Sequence, residues 1–204
     1  MCNKADDLTA AEIEGRRKIY NLLELLKKYD DPKHAVVAQC SHIGIRETVH
    51  YKTIFKANEK DLLLGKGYDD TVMKGSYRID IHHKNDNGIT FKYLNGKKEV
   101  IYGKGEKRVI SNWMEEEGIS DSPALYYQIP FRILVQEKIT NLIPVGRMIN
   151  ADEGSFGAIR VMVNLNQLGE AAGIGAYLSI NQNKPISKIN GIEVKNELKK
   201  NSNL

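Results

Sequence analysis

Cysteine is nearly missing from this 204-residue chain. Cys2 and Cys40 are the only two, and no C-x-x-C occurs. That excludes a disulfide framework and a cysteine-based metal centre. Long hydrophobic runs are missing too: the apolar stretches are far shorter than the ~20 residues a bilayer crossing requires. The start, MCNKADDLTAAE, is polar and acidic and lacks the basic and apolar regions of a secretory signal. No charge sign dominates, since 30 Lys and Arg face 26 Asp and Glu for a formal net charge of +4. So mild a balance can help attract an anionic ligand but gives no ground for nucleic acid. The basic stretches NGKKEV and KGEKR flank hairpin turns, where charge is solvated, and no RNP, KH or zinc pattern accompanies them. His34, His42, His50 and His83 fall at no ligand spacing, so no metal site is expected. The expectation is a soluble, cytoplasmic protein with no membrane and no nucleic-acid partner.

Hydrophobic residues make up 41% of the chain. At this length they can fill one large domain, or two lobes sharing a core. Thr9-Ala10-Ala11-Glu12 has capping-box spacing. Behind it Ile13, Ile19, Tyr20, Leu22, Leu23 and Leu26 form one apolar face, predicting a long amphipathic helix that ends near Asp30-Asp31-Pro32 and packs along that face. The stretch 35–55 reads as strand-like with a break at Gly44, and KANEKDLLLG as a turn and short helix. Residues 75–83 alternate, with Tyr77, Ile79 and Ile81 to one face and Arg78, Asp80 and His82 to the other, which predicts a half-buried strand. Two alternating runs around Asn95-Gly96 predict a hairpin. ALYYQIPFRILV reads as an edge or bulged strand interrupted at Pro130, and NLIPVGRMI as a buried strand broken after Gly146. A short helical tail closes the chain. This order predicts an α+β fold: a mixed or antiparallel sheet with flanking helices and a C-terminal strand-loop-helix.

The stretch 155–177, SFGAIRVMVNLNQLGEAAGIGAY, is unusual because it is rich in glycine yet has helical periodicity. A single helix over about 159–180 would align Val161, Leu165, Leu168, Ala172, Ala176 and Ser179, with Gly169, Gly173 and Gly175 on the same half. Each glycine costs roughly 1 kcal/mol against alanine. Such a cost is tolerated where another backbone or a ligand comes close. At the entry, Gly154, Ser155 and Gly157 predict free amides able to face an anion. Close helix–sheet packing without a ligand is the alternative on spacing alone.

NLIPVGRMINADEGSFGAIRVMVNLNQLGEAAGIGA resembles the C-terminal segment of the FAD-dependent oxidoreductase family, flavoproteins related to fumarate reductase. The matching motifs are Gly146-Arg147, the run from Gly157 to Met162, and Gly169-Glu170-Ala171-Ala172-Gly173. Upstream, GIRET at 44–48, YRIDIH at 77–82 and YQIPFRIL at 127–134 also resemble family motifs in order. Departures occur at Arg78, where the family has proline, at Thr48-Val49-His50, and at Glu153-Gly154. The Gly-x-Gly-x-x-Gly fingerprint of the family's dinucleotide domain is absent: Gly65-Lys66-Gly67 and Gly103-Lys104-Gly105 lack the third glycine and the strand-helix context. The resemblance therefore covers the C-terminal half, with 1–135 as a substrate-side domain and 136–204 as a strand-loop-helix of an FAD domain. A fragment, a split gene product and a stand-alone descendant remain open, each with a surface for a missing N-terminal half or subunit.

The resemblance implies hydride transfer between a small substrate, anionic or sugar-like, and flavin N5. It assigns the substrate side to Arg46, Asp80, His82, Arg132 and Arg160. It assigns FAD contacts to Gly146, Arg147, Ser155, Gly157, Ile159, Arg160, Val161 and Met162. FAD binding by this chain alone is expected to be weak or absent. The alternative is a non-enzymatic binding module or subunit that pairs with a separate flavin-binding chain.

Overall fold

The computed structural model describes residues 4–47, 49–103 and 107–201; Cys2, Thr48 and Lys104-Gly105 lie outside them. The chain divides into two compact units, Met1–Val49 and His50–Leu204.

The first unit is built on helix α1, Ala5–Tyr29. It begins earlier than the capping box implies. Thr9 lies inside the helix and its hydroxyl donates to the Ala5 carbonyl at 3.0 Å. Asp6 and Asp7 occupy the first turn, where the helix dipole favours negative charge. The helix ends at Tyr29, next to the expected stop. Glu12 accepts from the Ile43 amide at 2.7 Å and pairs with Arg16, whose guanidinium also reaches the Ser41 carbonyl at 3.1 Å. The Ile43 amide first, and Arg16 second, hold the Glu12 carboxyl below its ordinary range. The predicted packing along α1 is not found: none of its residues is buried, and Ile13, Tyr20, Leu22 and Leu25 are exposed. The expected strand over 35–55 is also not formed among the described residues, which are irregular there.

The second unit carries the core. Helix α2, Glu59–Leu63, is capped by Asn58, whose side chain accepts from the Asp61 amide. Strand β1, Thr71–Gly75, pairs antiparallel with β6, Tyr127–Pro130, in a two-stranded sheet whose register shifts between Thr71 and Met73. Strands β2 (Ile79–His82), β3 (Ile89–Lys92), β4 (Lys97–Tyr102) and β5 (Lys107–Asn112) form a four-stranded antiparallel meander. Gly96 makes the β3–β4 turn at φ +89, a conformation that favours glycine. Asn112 caps helix α3, Trp113–Glu116, and buried Trp113 donates its indole N–H to the Tyr93 carbonyl at 2.7 Å. Strand β6 stops at Pro130, and the chain turns into a 3₁₀ segment, Phe131–Leu134. That matches the interruption expected at Pro130.

The expected buried strand over 141–149 is absent as a regular element. Pro144 offers no amide to a ladder, and Gly146 leaves the extended region at φ +85. The Met148 carbonyl accepts from the Tyr51 amide at 2.9 Å, and just beyond the stretch Ala151 forms a parallel bridge with Ala57.

The glycine-rich stretch forms two helices rather than one: α4, Glu153–Ile159, and α5, Met162–Asn181. Val161 between them is extended, at φ −73 and ψ 149. In a continuous helix the Ala158 carbonyl would accept from the Met162 amide. Here buried Asn164 donates to that carbonyl at 3.0 Å, and the Tyr127 hydroxyl donates to it at 3.2 Å. Asn164 also donates to the Tyr127 oxygen at 2.8 Å. Side chains have taken over the bond the helix would have used, so it breaks. Burial pushes the Tyr127 hydroxyl up to about 12, outweighing the Asn164 bond, which acts the other way.

Helix α4 packs on β2, while α5 and α6 (Gly191–Asn201) pack on β1. The inward stripe of α5 is Asn164, Leu168, Ala171, Ala172 and Gly175. It is turned from the expected face, and Ala176 is exposed. A methyl at Gly175 would meet the Phe131 ring at 2.8 Å, whereas methyls at Gly169 and Gly173 would meet nothing within 4 Å. Met73, Ile79, Tyr127, Phe131, Ile159 and Leu168 lie at the centre of the core.

Candidate functional site

The site begins with the approach of α4 to β2. A Cβ at Gly157 would lie 2.5 Å from the Asp80 carbonyl oxygen, so only glycine lets the helix backbone come this close to the strand. That approach brings Arg160, which ends α4, to Asp80 on β2. The guanidinium Nη2 lies 3.3 Å from Asp80 Oδ2, with both side chains largely shielded. The other oxygen, Oδ1, is buried without a hydrogen bond and faces His82 Nε2 at 3.4 Å. This contact is within ion-pair range but too poorly aligned to be a hydrogen bond. His82 is half exposed. One carboxylate thus stands between a fixed cation and a titratable imidazole that reaches solvent. Such a unit can hold a proton at His82 and orient it.

Arg132 belongs to another cluster. It forms a two-point pair with Asp70, Nε to Oδ2 at 3.0 Å and Nη2 to Oδ1 at 3.1 Å. Its guanidinium also lies 5.8 Å from the Phe55 ring centre and 5.9 Å from that of Tyr68. Its charge is already matched. Arg46 lies exposed in the first unit. Of the five predicted substrate-side residues, the structure joins Asp80, His82 and Arg160.

The two helix starts differ. At α4, Asp152 accepts from the Ser155 amide at 2.8 Å and the Ser155 hydroxyl at 2.7 Å, and its second oxygen accepts from the Glu59 amide at 2.9 Å. The expected anion site at the amides around Ser155 and Gly157 is therefore filled by the chain's own carboxylate. Ser155, Gly157 and Ile159 are buried in the core, with Ser155 and Ile159 at 0% exposure. At α5, Val161 is the cap residue and offers no side-chain bond. Met162 and Val163 are exposed. Beside this bare start opens a groove of ≈ 840 Å³, lined among others by Ser76, Tyr77, Arg78, Tyr93 and Met162.

A family model described as FAD dependent oxidoreductase matches residues 1–198. The chain belongs to the FAD-dependent oxidoreductase family. No curated protein and no solved structure matches it. Membership supports a flavin-linked redox function, with FAD as the family's cofactor. Among the described residues no helix is long and apolar enough to cross a membrane, and no group of three or more His, Cys, Asp or Glu could hold a metal ion.

The residues fit a flavin at one place in this family member and not at another. The bare amides at the start of α5, around Val161 and Met162, suit the electron-rich edge of a flavin ring. Gly146 has open space around it and Arg147 is exposed, so both are accessible to a cofactor. Ser155, Gly157 and Ile159 face the chain's own atoms and serve the packing of α4. Sequence reasoning missed Asp152, Asn164 and Tyr93 as site builders. Only Asp152 carried a signal: Asp three residues before Ser155 is a helix-cap spacing.

Proposed function

We propose that this chain is the C-terminal, substrate-side part of an FAD-dependent oxidoreductase related to fumarate reductase, and that it works with a dinucleotide-binding half. The observation that supports this reading most directly is the uncapped start of α5, which lines a large groove and follows in sequence directly on Arg160 of the Asp80–His82–Arg160 cluster. A bound flavin would supply the hydride acceptor or donor at N5. The chain's residues do the rest. Amides at the start of α5 stabilise negative charge, worth up to about 2 kcal/mol where partly buried. Arg160 fixes the Asp80 carboxylate, and Asp80 orients His82. His82 then takes or delivers the substrate proton from its half-exposed position. In this reading the segments 1–135 and 136–204 serve the substrate side and the flavin side of the complete protein.

The exposed half of α5, with Gly169, Gly173, Ala176, Tyr177 and Ile180 open to solvent, supports a partner of the same kind. It equally suits the second reading, a subunit without chemistry of its own that docks on a separate flavin-binding chain. The test is to supply a dinucleotide-binding half from a family member, fused at the N-terminus or in trans. The expected product is yellow, with stoichiometric flavin, and His82→Ala slows flavin reduction by substrate while leaving flavin content intact. A folded, colourless fusion would sink the oxidoreductase reading. Unchanged reduction with His82→Ala would remove His82 from the mechanism and favour the docking subunit. The chain alone is expected to leave FAD fluorescence unchanged at submicromolar concentrations.

A further inference from the structure

We infer that the outer edge of β5 pairs with β5 of a second copy of this chain, antiparallel and centred on Ile110, joining two four-stranded sheets into one of eight strands.

The four-stranded sheet ends in β2 on one side and β5 on the other. In an antiparallel pair, residues that bond to the partner strand alternate with residues whose N–H and C=O point away from it. His83, just past β2, donates its amide to the Gly88 carbonyl at 2.8 Å, which makes those two a bonded pair. Counting back along the register, Ile81 and Ile79 also bond to β3, while His82 and Asp80 point outward. Helix α4 closes that edge: a Cβ at Gly157 would lie 2.5 Å from the Asp80 oxygen and 3.0 Å from its nitrogen.

The β5 edge is open. The Trp113 amide donates to the Gly96 carbonyl at 2.9 Å, continuing the β4–β5 register as a bonded pair. By the same count Ser111, Val109 and Lys107 bond to β4, while Asn112, Ile110 and Arg108 turn their main-chain groups outward. Among the described residues no strand lies beyond β5. Ile110 is 60% exposed and Val109 39%. An open edge with apolar side chains is a template for another strand. The charge that would guard it is drawn back, because Arg108 pairs with buried Glu99 on its own sheet.

The strand, KRVISN over 107–112, fits itself. Side chains that face each other across a pair lie on the same side of the sheet. Two copies related by a two-fold axis must therefore be centred on a residue. Centred on Ile110, the side chain of Ile110 meets its own copy, Arg108 meets Asn112, and Val109 meets Ser111. All three outward residues then find an outward partner, and no like charges oppose. Centring on Arg108 sets two guanidiniums against each other, which is destabilising. Centring on Val109 or Ser111 pairs only two of the three outward residues. Because α4 covers the β2 edge, assembly stops at two copies rather than growing into a fibre.

The experiment is sedimentation equilibrium of the full chain, with amide hydrogen exchange at micromolar and millimolar concentration. The mass should rise reversibly from monomer towards dimer. Exchange should slow with concentration at Arg108, Ile110 and Asn112, and stay constant at Lys107, Val109 and Ser111, which β4 already holds. Ile110→Pro removes one outward donor per chain and no bond to β4. It should raise the dissociation constant about 10-fold or more, since two bonds are lost per dimer. Should that variant fail to fold, Ile110→Lys sets two ammonium groups face to face and carries the same expected loss. Leu22→Ser on α1 and Tyr177→Ser on α5 remove exposed apolar groups elsewhere and should leave association unchanged. A chain that stays monomeric at millimolar concentration, growth beyond two copies, or full association in the folded Ile110 variants would each overturn the pairing. So would dissociation caused by Leu22→Ser or Tyr177→Ser.

Discussion

Helices α4 and α5 are neighbours in sequence, separated by two residues, and both are rich in glycine. Their starts are opposites. Helix α4 is closed by Asp152, buried through six consecutive residues, and pressed onto β2. Helix α5 begins at a valine that caps nothing, beside an open groove. The glycines follow the same division. Gly157 is required by the Asp80 backbone and, on the inward side of α5, Gly175 by the Phe131 ring, while Gly169 and Gly173 face open space. Identical residue types thus serve internal packing throughout α4 and on the inward stripe of α5, and leave an exposed, small-residue surface on the outer half of α5. What separates them is what stands opposite, which the local sequence does not contain.

The sharpest way to break this comparison is to give each helix the methyl it lacks. Gly157→Ala puts a Cβ 2.5 Å from a backbone oxygen, so α4 must lift off β2. We expect a loss of about 3 kcal/mol, read as a fall in Tm of roughly 6–12 °C. The Arg160–Asp80 pair should loosen with it. An unchanged Tm would mean that α4 does not need its close approach.

The junction between the helices should respond to alkali. Tyr127 has its pKa raised from 10.0 to about 12 by burial. A raised pKa means the neutral form is favoured in the fold, so its stabilisation is complete below pH 10 and is lost as pH rises toward 12. The expected loss is about 2–3 kcal/mol across that window. Tyr127→Phe should flatten this part of the pH–stability curve, and an equal slope in both proteins would refute the assignment. Asp152→Ala should cost about 1–2 kcal/mol in urea unfolding, because two amides and a hydroxyl lose their acceptor.

Much of the second unit was legible in the chain. The hairpin at Gly96, the short helix α2, the strand of Asp80 and the stop at Pro130 each rest on a local signal that tertiary contacts do not oppose. The single helix over 159–180 was misread because its break depends on Asn164 and Tyr127, 37 residues apart, capturing one carbonyl. The strand over 141–149 had the right apolar content but contains Pro144 and a left-handed Gly146. In the site, the Asp80–His82 pair followed from strand periodicity, and Arg160 came with the family resemblance. Arg132 pairs with Asp70 outside that cluster, a partner that nothing local announces.

Two smaller effects sharpen the contrast from the α5 side. Val161→Asp supplies the missing cap and should stabilise the chain by about 1 kcal/mol. A loss of stability would show that the start of α5 is already satisfied. Gly173→Ala fills open space and should raise stability by about 0.5–1 kcal/mol, the reverse of Gly157→Ala. In the reconstituted flavoprotein the same change should weaken docking of the dinucleotide half, since the methyl then meets a partner. Equal docking would place the interface elsewhere.

The sequence alone determined helices α1 and α2, the strand of Asp80, the hairpin at Gly96 and the ordered motifs of the FAD-dependent oxidoreductase family, because these are set by residues within a few positions of one another. Only the tertiary structure decided which helix start is sealed and which is open, which arginines are neutralised, and which glycines are held by a backbone. Those outcomes depend on a carbonyl, a carboxylate or a ring arriving from a distant part of the chain, and local spacing carries no record of that arrival.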